Sequence, residues 1–432
     1  MVAPVLCCYH RLDPSVQDLQ GHIESDVELQ RLFEKAFREI PNRFLQGSGS
    51  SDAAHVGDYR SLVNAIDQAI KTVPHWASAD ETERIIGCPM NEAMIWFMNT
   101  RTGSLILSRK DINRYLLAIL NRWGQYLSSP DSAKAIGTQE GGWISNDALR
   151  ELLDVVNHAH ATPFRVPCFE QAFVCDPALP HYDFRSWDDF FTRQFRPGMR
   201  PVESPGDERI IVNPCESQPF ALCEQAASQT CFSLKGHSYS VEGMLGHDEH
   251  ASTFTNGTVF QGWLSALNYH RWHAPVAGTV VKVTHIPGTY FAADPSMGFE
   301  KLDAATGKPS PDRQAPDASL RTIASTATRT AIWIRADSGA LGTVVFLAIG
   351  MAEVSSCRST VAAGDHVFKG QEIGSFHYGG SSFCLLFEPG VELQFSRIVY
   401  DSLARGPGVT GPCIAVNSKL ASIRSECILN TP

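Results

Sequence analysis

The sequence predicts an α+β fold in which a helical first part is joined to a β-rich second part. Three observations carry that prediction. Before Pro197, apolar residues recur every three or four positions. After it, the chain falls into short β-branched runs punctuated by glycine. At 432 residues the chain is too long for one ordinary core, which suggests two domains, or one large domain with a helical extension.

In the first part, Leu29, Phe33, Phe37 and Ile40 share one face of a helix expected over Asp26 to Ile40, with Ser25 or Asp26 as its cap and Pro41 as its stop. Leu62, Ile66, Ala69, Ile70 and Val73 mark a second helix from Asp58 to Val73, ended by Pro74. Gln46 to Asp52, rich in Gly and Ser, reads as the linker between them. A third helix, Asp111 to Leu127, lines up Ile112, Leu116, Ile119, Leu120 and Trp123. Acidic and basic residues are mixed on its other side, so core packing explains it better than a membrane surface does.

In the second part, the runs beginning at Gly278, Thr330 and Thr343 read as strands, and Glu372 to Phe376 as another. Ala277 to Phe291 and Ala362 to Phe376 share a Gly and Val placement similar to that of biotinyl and lipoyl carrier hairpins. A carrier needs an exposed lysine, and Lys369 is the nearby candidate. Ala292 to Leu320, rich in Pro, Asp, Gly and Ser, reads as a long loop, either a lid or a surface excursion.

Composition narrows the function classes. Hydrophobic residues at 43% and charged residues at 19% are ordinary globular values. A net charge of −10 without any basic run argues against nucleic acid or an anionic membrane as partner. Met1 to Asp13 lacks the pattern of a secretory leader, and the longest apolar stretch, near Thr343 to Met351, is too short to span a bilayer. A cytoplasmic protein is expected. The 12 cysteines are scattered without a C-x-x-C pair, which favours reduced thiols. Cys7 and Cys8 lack the glycine and basic neighbours that lipid attachment tends to use.

Three short segments hold candidate chemistry. Gly379-Gly380-Ser381-Ser382 follows a strand, and glycine lets a backbone press a serine hydroxyl against the preceding carbonyl; such runs are also plain turns. Tyr269-His270-Arg271-Trp272-His273-Ala274-Pro275 sets two imidazoles three residues apart. They read as acid/base groups, as packed core histidines or as a metal pair; Pro275 argues against the helix that H-x-x-H metal binding uses, and no metal site is expected. Glu216, in Asn213-Pro214-Cys215-Glu216-Ser217, is a carboxylate that would orient a histidine, or an ordinary loop residue.

Together these segments resemble the phosphatidylserine decarboxylase family. The resemblance begins at Asp188-Asp189-Phe190-Phe191-Thr192-Arg193-Gln194-Phe195-Arg196-Pro197-Gly198 and runs through Lys235-Gly236-His237-Ser238-Tyr239-Ser240 and Asn256-Gly257-Thr258. It continues in the two-histidine segment, Pro287-Gly288-Thr289-Tyr290-Phe291, Lys369-Gly370-Gln371-Glu372-Ile373-Gly374 and Gly380-Ser381-Ser382. It implies a β-rich catalytic domain over residues 186–432 behind a helical domain over 1–185. The helical part, with Phe97-Met98-Asn99-Thr100-Arg101, is similar to the extension of soluble fungal members that act on tryptophan.

The resemblance also implies a mechanism. Ser381 attacks the Gly380 carbonyl, the amide becomes an ester, and elimination leaves a pyruvoyl group on a small chain of 52 residues that stays associated with the large one. His273 matches the base of that step, and His270 matches the residue that assists decarboxylation. The pyruvoyl ketone takes up electrons as CO2 leaves, so pyridoxal phosphate is not needed. Glu216 stands where the family usually has aspartate, and Ser382 where it has threonine.

No membrane-binding segment accompanies the site, so a soluble amino acid is expected as substrate, most of all L-tryptophan. His377, Trp272, Tyr378 and Phe383 are the candidate substrate-binding residues. Phosphatidylserine remains the alternative substrate. A Ser-His-Glu hydrolase that stays a single chain, and a non-enzymatic carrier, remain alternative classes.

Overall fold

The computed structural model describes residues 11–45, 56–77, 87–226, 240–294, 296, 298–303, 305–310, 319–353, 356–378, 381–405 and 412–424. Cys7, Cys8, the linker 46–52, the segment 235–239, Gly379, Gly380 and part of the 292–320 loop lie outside the described residues.

The first part is helical, as expected. Helices α1 (Pro14–Ser25), α2 (Val27–Glu39), α3 (Asn42–Leu45), α4 (Tyr59–Ala69), α5 (Pro89–Met98), α6 (Arg101–Leu107), α7 (Lys110–Leu127) and α8 (Asn146–His158) follow in order. Asp26 caps α2 by accepting from the backbone N–H groups of Glu28 and Leu29. Asp58 and Ser61 form a reciprocal capping box at α4. That helix stops at Ala69 instead of Val73, yet Ile70 and Val73 remain buried. Two short helices close this part, α9 (Phe169–Ala172) and α10 (Trp187–Phe191).

Among the described residues, three antiparallel sheets follow. The largest is ordered β2 (Gln218–Cys223), β3 (Thr258–Leu264), β11 (Ser381–Phe387), β7 (Thr343–Ile349), β6 (Arg329–Ala336), β5 (Gly278–Ile286) and β9 (His366–Val367). A second joins β4 (Arg271–His273), β10 (Glu372–His377) and β8 (Ser356–Ser359). A third joins β1 (Ile210–Val212), β13 (Lys419–Ile423) and β12 (Leu393–Phe395).

Both faces of the large sheet are covered, which explains why its central strands read as continuous apolar runs instead of alternating ones. Phe260, Ile332, Phe346, Phe383 and Leu385 face a core that is continuous with the N-terminal helices. Val259, Trp333, Val345, Leu347 and Leu386 face a second core beneath the short helices at Val241–Met244 and Leu320–Thr326. Polar contacts tie the helices to the sheets as well. The Asn113 side chain of α7 accepts from the Tyr290 backbone at 3.1 Å, and the buried Glu353 carboxyl accepts from the backbone of Met90 and Asn91 at the start of α5.

Lys369 is not an exposed carrier lysine. It is 7% exposed, and its ammonium donates to the carbonyls of Ser204, Asp207 and Ile210. The described cysteines are free thiols. Among the described residues no helix is long and apolar enough to cross a membrane.

Candidate active site

Ser381 opens β11 and pairs with Leu264 of β3, so the Gly380–Ser381 bond lies between the end of β10 in one sheet and the start of β11 in another. The two histidines are delivered by the segment that leaves β3 and enters β4. Arg193 fixes that segment. Its guanidinium is buried over the rings of Phe173 and Phe190 and donates to the carbonyls of Leu267 at 2.6 Å and Asn268 at 3.0 Å. Burial brings this arginine down to about 9.

His270 is fully buried, and its ring stacks on Phe191 with centroids 3.8 Å apart. Neither ring nitrogen closes a hydrogen bond of ordinary geometry. Backbone groups of Ser265 and Phe191 stand near enough to favour its protonation slightly, but desolvation and the Arg193 charge outweigh them and hold its pKa well below the usual imidazole range. At neutral pH it is a neutral ring with unspent donor and acceptor capacity, a costly arrangement in a dry interior. Ser265 follows Leu264, the strand partner of Ser381, so this ring lies at the junction end of the sheet.

His273 is fully engaged. Its Nδ1 lies 2.8 Å from the Gly370 carbonyl, which can only accept, so Nδ1 carries the proton. Its Nε2 then holds the lone pair and faces the Tyr269 hydroxyl at 3.1 Å. Desolvation lowers the His273 pKa, while burial raises that of Tyr269, which therefore stays protonated and donates.

Glu216 does not hold His273. Its carboxylate is 1% exposed and pairs with Arg200, whose Nε lies 3.2 and 3.1 Å from the two oxygens, and it accepts from the Val416 backbone at 2.7 Å. The tautomer-fixing role expected of Glu216 falls to the Gly370 carbonyl.

Two of the four expected substrate contacts are core residues. Trp272 is wholly buried between Phe346 and Phe376, and Phe383 is wholly buried against Phe260 and Phe346. Alternation explains both, because each sits on the strand face turned toward the main core. The other two lie beside the junction. His377 ends β10 with Nδ1 2.8 Å from Asp188 Oδ1 and Nε2 3.2 Å from the Ser375 hydroxyl. Tyr378 is 4% exposed and packs near Trp123 of α7.

The sequence reading left Asp188, Tyr269, Arg193 and Gly370 without individual roles, although all four stand inside the segments that carried the resemblance. The doubled Asp188-Asp189 before two phenylalanines was the available signal for Asp188, since a carboxylate set among buried aromatics needs a partner.

Two family models described as phosphatidylserine decarboxylase match, one over residues 187–402 and one over residues 13–152. The decarboxylase iboD of Amanita muscaria is 38% identical over 344 residues, 79% of this chain and 92% of its own length. The L-tryptophan decarboxylase of Psilocybe cubensis is 31% identical over 411 residues, 89% of this chain and 85% of its own. Phosphatidylserine decarboxylase proenzyme 3 of Schizosaccharomyces pombe is 31% identical over 213 residues, 49% of this chain and 20% of its own. Matches that span the helical part as well as the sheets make this protein a member of the phosphatidylserine decarboxylase family and a decarboxylase.

Proposed function

We propose that the chain cleaves itself at Gly380–Ser381, carries the resulting pyruvoyl group, and decarboxylates an aromatic L-amino acid, L-tryptophan foremost. The observation that carries this reading is His270. A buried, neutral imidazole whose ring nitrogens close no hydrogen bond of ordinary geometry, at the end of the sheet where Ser381 opens β11, suits a site completed by a further reacting group.

In the cleavage step the Ser381 hydroxyl adds to the Gly380 carbonyl carbon. The C–N bond breaks as the ester C–O bond forms, and the hydroxyl proton passes to the freed amine. Loss of the Ser381 α-proton expels the Gly380 carboxylate. Water then releases ammonia from the dehydrated residue and leaves the ketone. His273 suits the base of this sequence, because its Nδ1–H is spent on Gly370 and the lone pair is left on Nε2. The new group supplies the electron sink for loss of CO2. His270 is placed to hold and deliver the proton that replaces the carboxylate on the substrate carbon.

Strand β11 pairs with β3 on one side and β7 on the other, which supports continued association of the small chain with the large one after cleavage. For the substrate, support comes from relatives named as L-tryptophan decarboxylases and from the rings of Phe191, Trp123 and Tyr378 near the junction.

The test is to express the chain, weigh its products by mass spectrometry, and measure CO2 release from tryptophan, phenylalanine, tyrosine and phosphatidylserine. Two chains divided before Ser381, with release from tryptophan, are expected; Ser381→Ala should give one chain. An uncleaved wild-type chain that is fully active would overturn the pyruvoyl reading, and consumption of the lipid with tryptophan untouched would overturn the substrate.

A further inference from the structure

We propose that the helical part of the chain clamps the two residues ahead of the cleavage junction, His377 and Tyr378, with Asp188 and Gly124 as positioning residues of the self-cleavage step. The inference rests on the self-cleaving reading of Ser381.

His377 and Tyr378 are the last described residues before the Gly379-Gly380 pair. Both are buried, and both are held from the helical side. The Asp188 carboxylate, at the start of α10, lies 2.8 and 3.0 Å from His377 Nδ1 and can only accept, so Nδ1 carries a proton toward it. On its other side His377 Nε2 meets the Ser375 hydroxyl, which fixes the plane of the ring. Asp188 is in turn reached by Ser128, the residue just after α7, whose hydroxyl donates to Oδ2 at 3.4 Å. The Ser128 hydroxyl also stands near the Tyr378 phenol, where it opposes the rise that burial gives the phenol pKa. One polar chain thus joins the end of α7, the start of α10 and both residues before the junction.

Tyr378 has a φ of +87°, a conformation that side chains other than glycine seldom hold unless their surroundings fix them. The fixing element is Gly124 on α7. A β-carbon there would stand 2.3 Å from the Tyr378 hydroxyl oxygen and 2.7 Å from Cζ, so the phenol end occupies a notch that only glycine leaves open. Trp123 flanks the same ring, with centroids 6.0 Å apart.

The arrangement answers a need of the chemistry. Glycine restricts a backbone less than any other residue, whereas attack of a hydroxyl on the carbonyl just before it requires a narrow set of conformations. β11 anchors the junction on its C-terminal side. The clamp anchors it on the other and dictates the direction in which the chain enters the glycines. It also gives the N-terminal helices a part in processing that their distance along the sequence does not suggest.

The test follows splitting of newly synthesised full-length chain over time, beside circular dichroism and thermal melting. Gly124→Leu and Asp188→Asn are both expected to split at least about tenfold more slowly than wild type while folded. Gly124→Leu and Tyr378→Gly combined should be no slower than Tyr378→Gly alone, since both act through one contact. Hydroxylamine cuts an ester and spares an amide, so it should not restore splitting in either slow variant if the clamp serves the first attack. Should Gly124→Leu fail to fold, the isosteric Asp188→Asn carries the test alone. Folded variants that split at the wild-type rate, or full recovery with hydroxylamine, would overturn the clamp. A wild-type chain that stays whole would overturn the Ser381 reading and the clamp with it.

Discussion

His273 points its Nδ1 at the carbonyl oxygen of Gly370, 2.8 Å away, and this one contact decides that Nδ1 carries the proton and that the Nε2 lone pair faces Tyr269. The carbonyl is held in place by an unusual backbone. Gly370 has a φ of +80°, and a β-carbon on it would lie 2.2 Å from Val202 Cγ2. Gly370→Ala therefore meets both strain and overlap, and relief requires the carbonyl to move. Splitting of the Gly370→Ala chain is expected to slow by about tenfold or more, read from the appearance of two chains on a denaturing gel. Unchanged splitting in a folded variant would remove Gly370 from the machinery.

The acid side of the stability profile follows from the same histidines. Burial holds His273 below the imidazole value of 6.5 and His270 well below it. As pH falls through 6.5, the unfolded chain takes up protons that the folded chain refuses, so stability is lost in that direction and is fully present above it. Between pH 6.5 and 5 the melting temperature should therefore fall further, or rise less, in wild type than in His270→Gln, since the contribution of Glu353 is common to both. The neutral rings also predict that decarboxylation holds its rate from pH 7.5 down to about 6.

The sequence carried the element types well where a single physical signal dominated. Of the two candidate caps, Ser25 and Asp26, it is Asp26 that caps α2, Asp58 at the expected start of α4 caps that helix, and the three- and four-residue spacing in α7 matched the buried stripe. It was weaker where signals conflict. α5 is apolar around most of its circumference and has no side-chain cap at Cys88, so neither periodicity nor capping marks it. At the site, the two-histidine segment and the Gly-Ser junction were legible because their residue types are chemically special. Direction was not. Whether Trp272 lines a pocket or fills the core depends on which face of β4 meets Phe346, and whether Glu216 meets His273 or Arg200 depends on a contact 16 residues away along the chain.

Arg200 and Glu216 supply a separate prediction. With side chains 3% and 1% exposed, they are fully desolvated against each other. Removing the carboxylate strands a buried guanidinium, and Glu216→Ala should cost on the order of 3 kcal/mol, measured by urea unfolding. Glu216→Gln keeps the shape and one acceptor, and should cost less. Because Gly370 holds His273, the Gln variant that folds should still split. A folded Glu216→Gln chain that stays whole would return Glu216 to the cleavage machinery.

Glu353 shapes the alkaline side of the profile with the opposite sign. Its carboxyl lies wholly inside the protein, where it accepts from the Met90 and Asn91 backbone at the N-terminus of α5. Those donors and the helix dipole favour the anion, yet desolvation is larger and holds the pKa up at about 7, above the ordinary 4.5. Between these two values the folded chain keeps a proton that the unfolded chain has released, so stability falls as pH rises from 4.5 through 7. Glu353→Gln retains an acceptor for both N–H groups and has no proton to lose. It should melt at nearly the wild-type temperature at pH 5, and at pH 8 it should exceed wild type by as much as ~3 kcal/mol, the free energy of holding the anion in that interior. The histidine contribution is common to both proteins and cancels in the comparison. If the two melting curves instead run parallel from pH 5 to pH 8, Glu353 is ionised throughout and the backbone donors outweigh its burial.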